Sequence, residues 1–297
     1  MALRVPDSAL RDSALNNMVR GEARIAKLNA QISSGKRVLG AEDDAVAYTR
    51  IKDLRGVLVA TEQYQSNISR VEDQVAVAES TMGLMENLLA RGKELAIAMS
   101  NGSLDATQRL NMAAEAEHLL GEMVTLANTQ TDGRYIFAGY RTGTEPFDAT
   151  GAYSGDSGVR KVEVSDGVTV AGNTPGDRLM NGAGGGVDVF QSLIQLRDGL
   201  QTNDTVAINA SIDNIDAASE QITRERMIAG LQLGKLETRR DSLDEITFQT
   251  QRLLSENEDL DLAGAISELT MQQSTLELTR SALGRILSSQ SLLNFLR

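Results

Sequence analysis

The sequence predicts a mainly α-helical chain: a rod-like antiparallel bundle or coiled coil, with its amino- and carboxyl-terminal segments pairing and a small β insert mid-chain. Three observations carry this prediction. Apolar residues recur at alternating spacings of three and four at both ends and on either side of the middle. Between about residues 136 and 186 that periodicity gives way to Gly, Asp, Thr and Asn around short alternating runs. Aromatics make up only 3% of the 297 residues and Trp is absent, so Ala, Leu, Val, Ile and Met must fill the core.

A first helix is predicted from Asp7 to Ser34, with Leu10, Leu15, Met18, Ile25, Leu28 and Ile32 recurring at helical spacing. Gly35 supplies a left-handed stop, and Lys36 a cation near the negative end of the helix dipole. Glu42-Asp43-Asp44 read as capping acids for a second helix that runs to about Ser100. Its register, Val57, Thr61, Tyr64, Ile68, Val71, Val75, Ala78, Met82, Met85 and Leu89, continues unbroken, and at 1.5 Å per residue such a helix is about 80 Å long. Asn101-Gly102-Ser103 breaks it, and Ser103 or Asp105 caps a third helix to about Asn128.

The segment Tyr135–Tyr140 is short, aromatic and β-prone. Val162-Glu163-Val164 and Val168-Thr169-Val170 alternate about Asp166-Gly167, which predicts a tight hairpin. Five residues from Gly182 to Gly186 read as a flexible hinge rather than a phosphate cradle, because no Lys-Ser/Thr follows them. Val189, Leu193, Leu196 and Leu200 mark a short helix, and Ile208, Ile212, Ile215, Ile222, Ala229, Leu233, Leu236 and Leu243 a second long register. The last helix carries Leu262, Ile266, Leu269, Leu276, Leu283, Ile286, Leu287, Leu293 and Leu296. The expected division is a terminal assembly domain from 1–45 with 257–297, a helical bundle from 46–135 with 187–256, and an outward-facing β-rich insert, 136–186.

Charge and composition exclude several classes. A net charge of -12 argues against nucleic acid and anionic membrane as partners, since both attract positive surfaces. No stretch approaches the roughly 18 apolar residues of a membrane span, and Met1–Asp7 offers no apolar core of signal-peptide length. With no Cys, neither a disulfide framework nor thiol chemistry is available. The single His118, with Glu115 three residues before it, reads as an exposed helical side chain, and one His cannot build a triad or a His-rich metal site. Asn257–Asp261 with Glu268 mimics a calcium loop, but Leu262 stands where the turn needs Gly; Asp259 or Asp261 reads as a helix cap. No catalytic residue, cofactor or metal is expected.

Gln31-Ile32-Ser33-Ser34-Gly35-Lys36-Arg37-Val38 followed by Glu42-Asp43-Asp44-Ala45 resembles the amino-terminal signature of bacterial flagellins and their junction relatives. Asp261–Leu269, running into Ala282-Leu283-Gly284-Arg285-Ile286-Leu287, resembles the carboxyl-terminal one. Gly133–Tyr140 with Pro146-Phe147 is similar to the branch that joins hook to filament, while Ala45 replaces the Pro that often follows the paired acids. The resemblance implies a structural subunit of the extracellular flagellum, a homo-oligomer in a ring or helical lattice. It further implies export by the type III apparatus, a cytoplasmic chaperone on the carboxyl-terminal helix, and contacts with hook-associated protein 1 and flagellin. Because each terminal stripe covers one face only, both helices are expected to lack order in the free subunit and to fold on assembly. A short flagellin that forms the filament itself is the alternative, and a cytoplasmic coiled-coil scaffold is a more distant one.

Overall fold

The computed structural model describes residues 7–102 and 104–295, and side chains from 12 to 285 except residue 103. Seven helices and four short strands follow in the order α1 (Asp7–Ser34), α2 (Ala45–Met99), α3 (Ala106–Ala127), β1 (Gln130–Thr131), β2 (Arg134–Tyr135), β3 (Lys161–Ser165), β4 (Val168–Ala171), α4 (Gly176–Met180), α5 (Val189–Gln201), α6 (Thr205–Glu258) and α7 (Leu262–Phe295). The chain is mainly helical with a small β insert. The contacts divide into two compact units, Ala60–Glu245 and Met1–Val59 with Ile246–Arg297.

In the unit of Ala60–Glu245, the heptad register of α2 is buried from Thr61 onward: Ile68, Val71, Val75, Ala78, Met82, Met85 and Leu89 all lie inside. Val57, the first residue of the predicted register, is exposed and falls in the other unit. From α6, Ile208, Ile215, Ile222, Ala229, Leu236 and Leu243 are buried at matching spacings. The interior at one end is completed by α3 and α5, through Ala113, Ala116, Leu120 and Met123 and through Val189, Phe190, Leu193, Leu196 and Leu200. Asp105 caps α3 with a full capping box, its carboxylate accepting from Gln108 N–H while Gln108 returns the contact. Ser103, the other predicted cap, lies outside the described residues.

The insert holds little regular strand. Within 136–186 regular strand is confined to the β3–β4 hairpin, with the tight turn at Asp166-Gly167 as predicted; the two-residue pair β1–β2 precedes the insert. The rest of the insert is loop and the short helix α4, and it supplies large apolar groups to the same interior as the helices. Phe137, Phe147, Leu179 and Met180 are fully buried with the helices, and Val164 of β3 packs with Ile68, Val71 and Leu236. Phe147 sits 5.0 Å from the Tyr153 ring and 5.3 Å from that of Phe190. Asn128 fixes it in place, accepting from Phe147 N–H at 3.0 Å and donating to Phe147 C=O at 2.8 Å. The expected hinge at Gly182–Gly186 is a tied turn: Gln221 accepts from Val187 N–H and donates to Leu179 C=O, and a Cβ on Gly186 would strike the Gln221 amide. Burying so much loop leaves few backbone groups for water, so side-chain amides satisfy them instead.

Candidate assembly interface

The second unit joins the two ends of the chain. α1 stops at Ser34 because Gly35 adopts a left-handed φ of 71°, where a side chain would be strained. The residues that follow are clipped to the corner between α6 and α7. Leu260 N–H donates to Gly35 C=O at 2.9 Å, Arg37 N–H donates to Glu258 C=O at 2.7 Å, and Lys36 forms a single β-bridge with Asp259. Gln31, buried, donates to Arg37 C=O at 2.6 Å. The Glu258 carboxylate, also buried, receives both Lys36 Nζ and Arg55 Nη2 at 2.5 Å. Beneath this clasp Val38, Ala47 and Ile51 pack against Leu254.

Three acids cap the corner. Asp44 accepts from Ala47 N–H at 2.9 Å and so starts α2; Asp261 accepts from Gly264 N–H at 3.1 Å and starts α7. Asp43 accepts from Leu39 N–H at 2.8 Å and meets Lys27 Nζ at 2.6 Å. The Lys27 hydrogen bond holds the Asp43 carboxyl below its ordinary value, and the Ala47 N–H does the same for Asp44. These residues cap the helices and tie the corner together. Elsewhere, His118 is exposed 3.5 Å from Glu122, while Glu115 is held by Arg91. Among the described residues no group of three metal-ligating side chains forms, and no helix is long and apolar enough to cross a membrane.

From this corner α1 and α7 run antiparallel. The ion pairs Arg24–Glu268 (2.7 Å) and Arg280–Glu22 (2.6 Å) flank them, and both are solvent-exposed, so each adds at most about 1 kcal/mol. The inward-turned positions repeat by heptads: Ala14, Met18, Gly21, Ile25, Leu28 and Ile32 on α1, and Ala265, Leu269, Gln272, Leu276, Thr279 and Leu283 on α7. Five of these twelve, Ala14, Gly21, Ala265, Gln272 and Thr279, are small or polar. Only Gln31, Ala265 and Leu283 fall below a tenth exposed among the described side chains of the two helices, so this seam is far thinner than the core of the other unit.

The predicted interface residues divide accordingly. Met18, Ile25, Leu28, Ile32, Leu269 and Leu276 are half-buried in the seam and Leu283 is buried. Leu15, Leu262 and Ile266 point away from it, 47%, 49% and 52% exposed, and Val19, Met271 and Leu278 extend the uncovered apolar surface. Leu10, Ile286, Leu287 and Leu293 have side chains outside the described residues, as is Leu296 entirely. The sequence pattern missed the seam's Ala14, Gly21, Ala265, Gln272 and Thr279, because a count of large apolar residues skips them; the heptad spacing from Met18 and Leu269 marks all five. It also missed Glu258, whose partners Lys36 and Arg55 lie 222 and 203 residues away in the chain.

Comparison with known proteins follows this geometry. The bacterial flagellin N-terminal helical region matches residues 8–142. Flagellar hook-associated protein 3 of Escherichia coli (strain K12) is 27% identical, over 90% of this chain and 92% of its own length. Its namesake from Salmonella typhimurium is 25% identical over 93% and 94%. The solved structure of a Vibrio parahaemolyticus chain described as a flagellar hook-associated protein covers 73% of this chain and 100% of its own, with a TM-score of 0.67 at 23% identity, and shows a shared fold.

Proposed function

We infer that this chain, which belongs to the flagellin superfamily, is a structural subunit of the bacterial flagellum and acts at the junction of hook and filament. The observation that carries this is end-to-end similarity to hook-associated protein 3, joined to a terminal helix pair that leaves Leu15, Val19, Leu262, Ile266, Met271 and Leu278 uncovered. No catalytic step is part of the function.

The mechanism follows from the terminal pair. Residues 1–45 and 257–297 form the assembly segment, with Leu10, Leu15, Met18, Ile25, Leu28, Ile32, Leu262, Ile266, Leu269, Leu276, Leu283, Ile286, Leu287, Leu293 and Leu296 as its contact residues. The remainder divides into a helical portion, 46–135 with 187–256, and the insert, 136–186, which faces outward in the assembly. A seam with Ala, Gly, Gln or Thr at five of its twelve positions stabilises the isolated pair weakly, whereas stacking copies side by side buries Leu15, Leu262 and Ile266 at about 25 cal/mol per Å². The terminal helices therefore consolidate on polymerisation, when burial offsets the ordering entropy. The same weakness suits passage through a narrow type III channel, with a cytoplasmic chaperone shielding the carboxyl-terminal helix. Outside the cell the subunit joins copies of itself in a ring or helical lattice, with hook-associated protein 1 on one side and flagellin on the other.

Deletion of the gene in the source bacterium tests this. Cells that keep hooks but shed unpolymerised flagellin support a junction role, and intact filaments contradict it. The match to the flagellin amino-terminal region favours a second reading, a short flagellin that forms the filament itself. It predicts seeded, unlimited self-polymerisation of the purified chain and no secreted subunit in the deletion strain.

A further inference from the structure

We propose that the groove between the β3–β4 hairpin and α6 receives the opposite flank of the same helical region in a second copy of this chain. The contact extends the assembly function proposed above and rests on it. The groove has an apolar floor and walls, Val164, Val168, Val170, Ile228 and Leu231. Two features in it lack partners. Lys235 and Arg239 on its rim make no ion pair among the described residues, and Gln232 Nε2 is buried with no acceptor. A buried amide donor left open costs about 1–3 kcal/mol, so the wall of this groove is less well satisfied than the rest of the interior.

The complementary surface lies on the far side of α6. There Asp73, Ala76 and Glu237 border a shallow recess, and neither acid makes an ion pair among the described residues, whereas the neighbouring Glu72 is engaged by Arg240 at 3.0 Å. At 3.6 residues per turn, Glu237 projects roughly 160° away from both Lys235 and Arg239. Gly230 and Gly234 separate the two flanks, and a Cβ on either would meet nothing within 4 Å. Each glycine costs about 1 kcal/mol relative to Ala inside a helix. No contact within the subunit requires either one, and together they let another backbone come close.

An isologous contact through the groove would set Lys235 and Arg239 against their own copies. A heterologous one sets them against Asp73 and Glu237. Such a head-to-tail contact repeats from copy to copy, which is what a ring or helical lattice needs.

The chain has no Cys, so single introduced thiols report the contact cleanly. Full-length Val168→Cys and Ala76→Cys, one carrying a mass tag, are mixed and oxidised at low salt and resolved on a non-reducing gel. The mixed disulfide is expected to form nearly to the exclusion of both symmetric ones, against the half share that random pairing of equal amounts gives. Lys235→Glu with Arg239→Glu in the Val168→Cys chain should abolish the excess, and Asp73→Lys with Glu237→Lys in the Ala76→Cys chain should restore it. A statistical mixture, no cross-link, or an excess indifferent to charge reversal would overturn the proposal. None of these residues belongs to α1 or α7, so such a result leaves assembly through the terminal helices standing.

Discussion

Gly21→Ala is expected to stabilise the terminal helix pair. Gly21 occupies a seam position in the middle of α1, and a Cβ built there would lie 3.6 Å from Leu276 Cδ1, an ordinary van der Waals contact. Replacing a helical Gly by Ala at a compatible backbone gains about 0.5–1 kcal/mol, chiefly by restricting the unfolded chain. The added methyl, partly covered by Leu276, contributes up to about 0.8 kcal/mol more. The sum, roughly 1–1.5 kcal/mol, corresponds to a several-fold to tenfold smaller opening constant for the pair. Hydrogen exchange on the full-length subunit reads this directly: amides of Met18–Ile32 and Leu269–Leu283 should exchange several-fold to tenfold more slowly, while those of α3 and α5 stay unchanged. Gly35→Ala is the opposing control. At a φ of 71° the new side chain is strained, and exchange in the same segments should accelerate. If Gly21→Ala leaves the exchange unchanged or quickens it, the marginal antiparallel seam described here is wrong.

Glu258→Gln removes the carboxylate shared by Lys36 and Arg55; because both cations are largely exposed, the expected loss is about 1–2 kcal/mol, shrinking at high salt, measured by denaturant unfolding of the terminal unit. Phe147→Ala empties a fully buried site between Tyr153 and Phe190 and should cost about 3–5 kcal/mol in urea unfolding; a loss near zero would mean the insert does not share the helical core. Asp43 and Asp44 have carboxyls held below their ordinary 3.8, so their contribution is complete above that value and fades as pH falls through the lower folded one. An acid titration followed by exchange in Leu39–Ala47 should show this loss, and Asp43→Asn with Asp44→Asn should flatten it.

Much of the fold was legible because periodicity is a strong signal in long helices. The carboxyl end of α1 falls where Gly35 places it and the start of α3 where Asp105 caps it, and the α2 register from Thr61 to Leu89 points inward. The hairpin turn at Asp166-Gly167 was equally clear, since two residues between alternating Val pairs leave few other options. The path of the insert was not. Its buried groups, Phe137, Phe147, Leu179 and Met180, are isolated among Gly, Asp and Thr and carry no period, so burial there is decided by tertiary contact. The interface was half legible for a related reason. Large apolar side chains announce a helical face without saying whether a partner helix or another molecule covers it. Only the structure separates Met18, Ile25 and Leu276, turned into the seam, from Leu15, Leu262 and Ile266, turned out.

That separation permits the most direct test of assembly through the terminal helices. Leu262→Glu with Ile266→Glu changes two side chains that are already about half exposed in the subunit, so its melting curve should stay within about 0.5 kcal/mol of the parent. Incorporation into seeded flagellar assemblies, measured by sedimentation of labelled full-length subunit, should nonetheless be lost. Normal incorporation of the doubly charged variant would contradict the account.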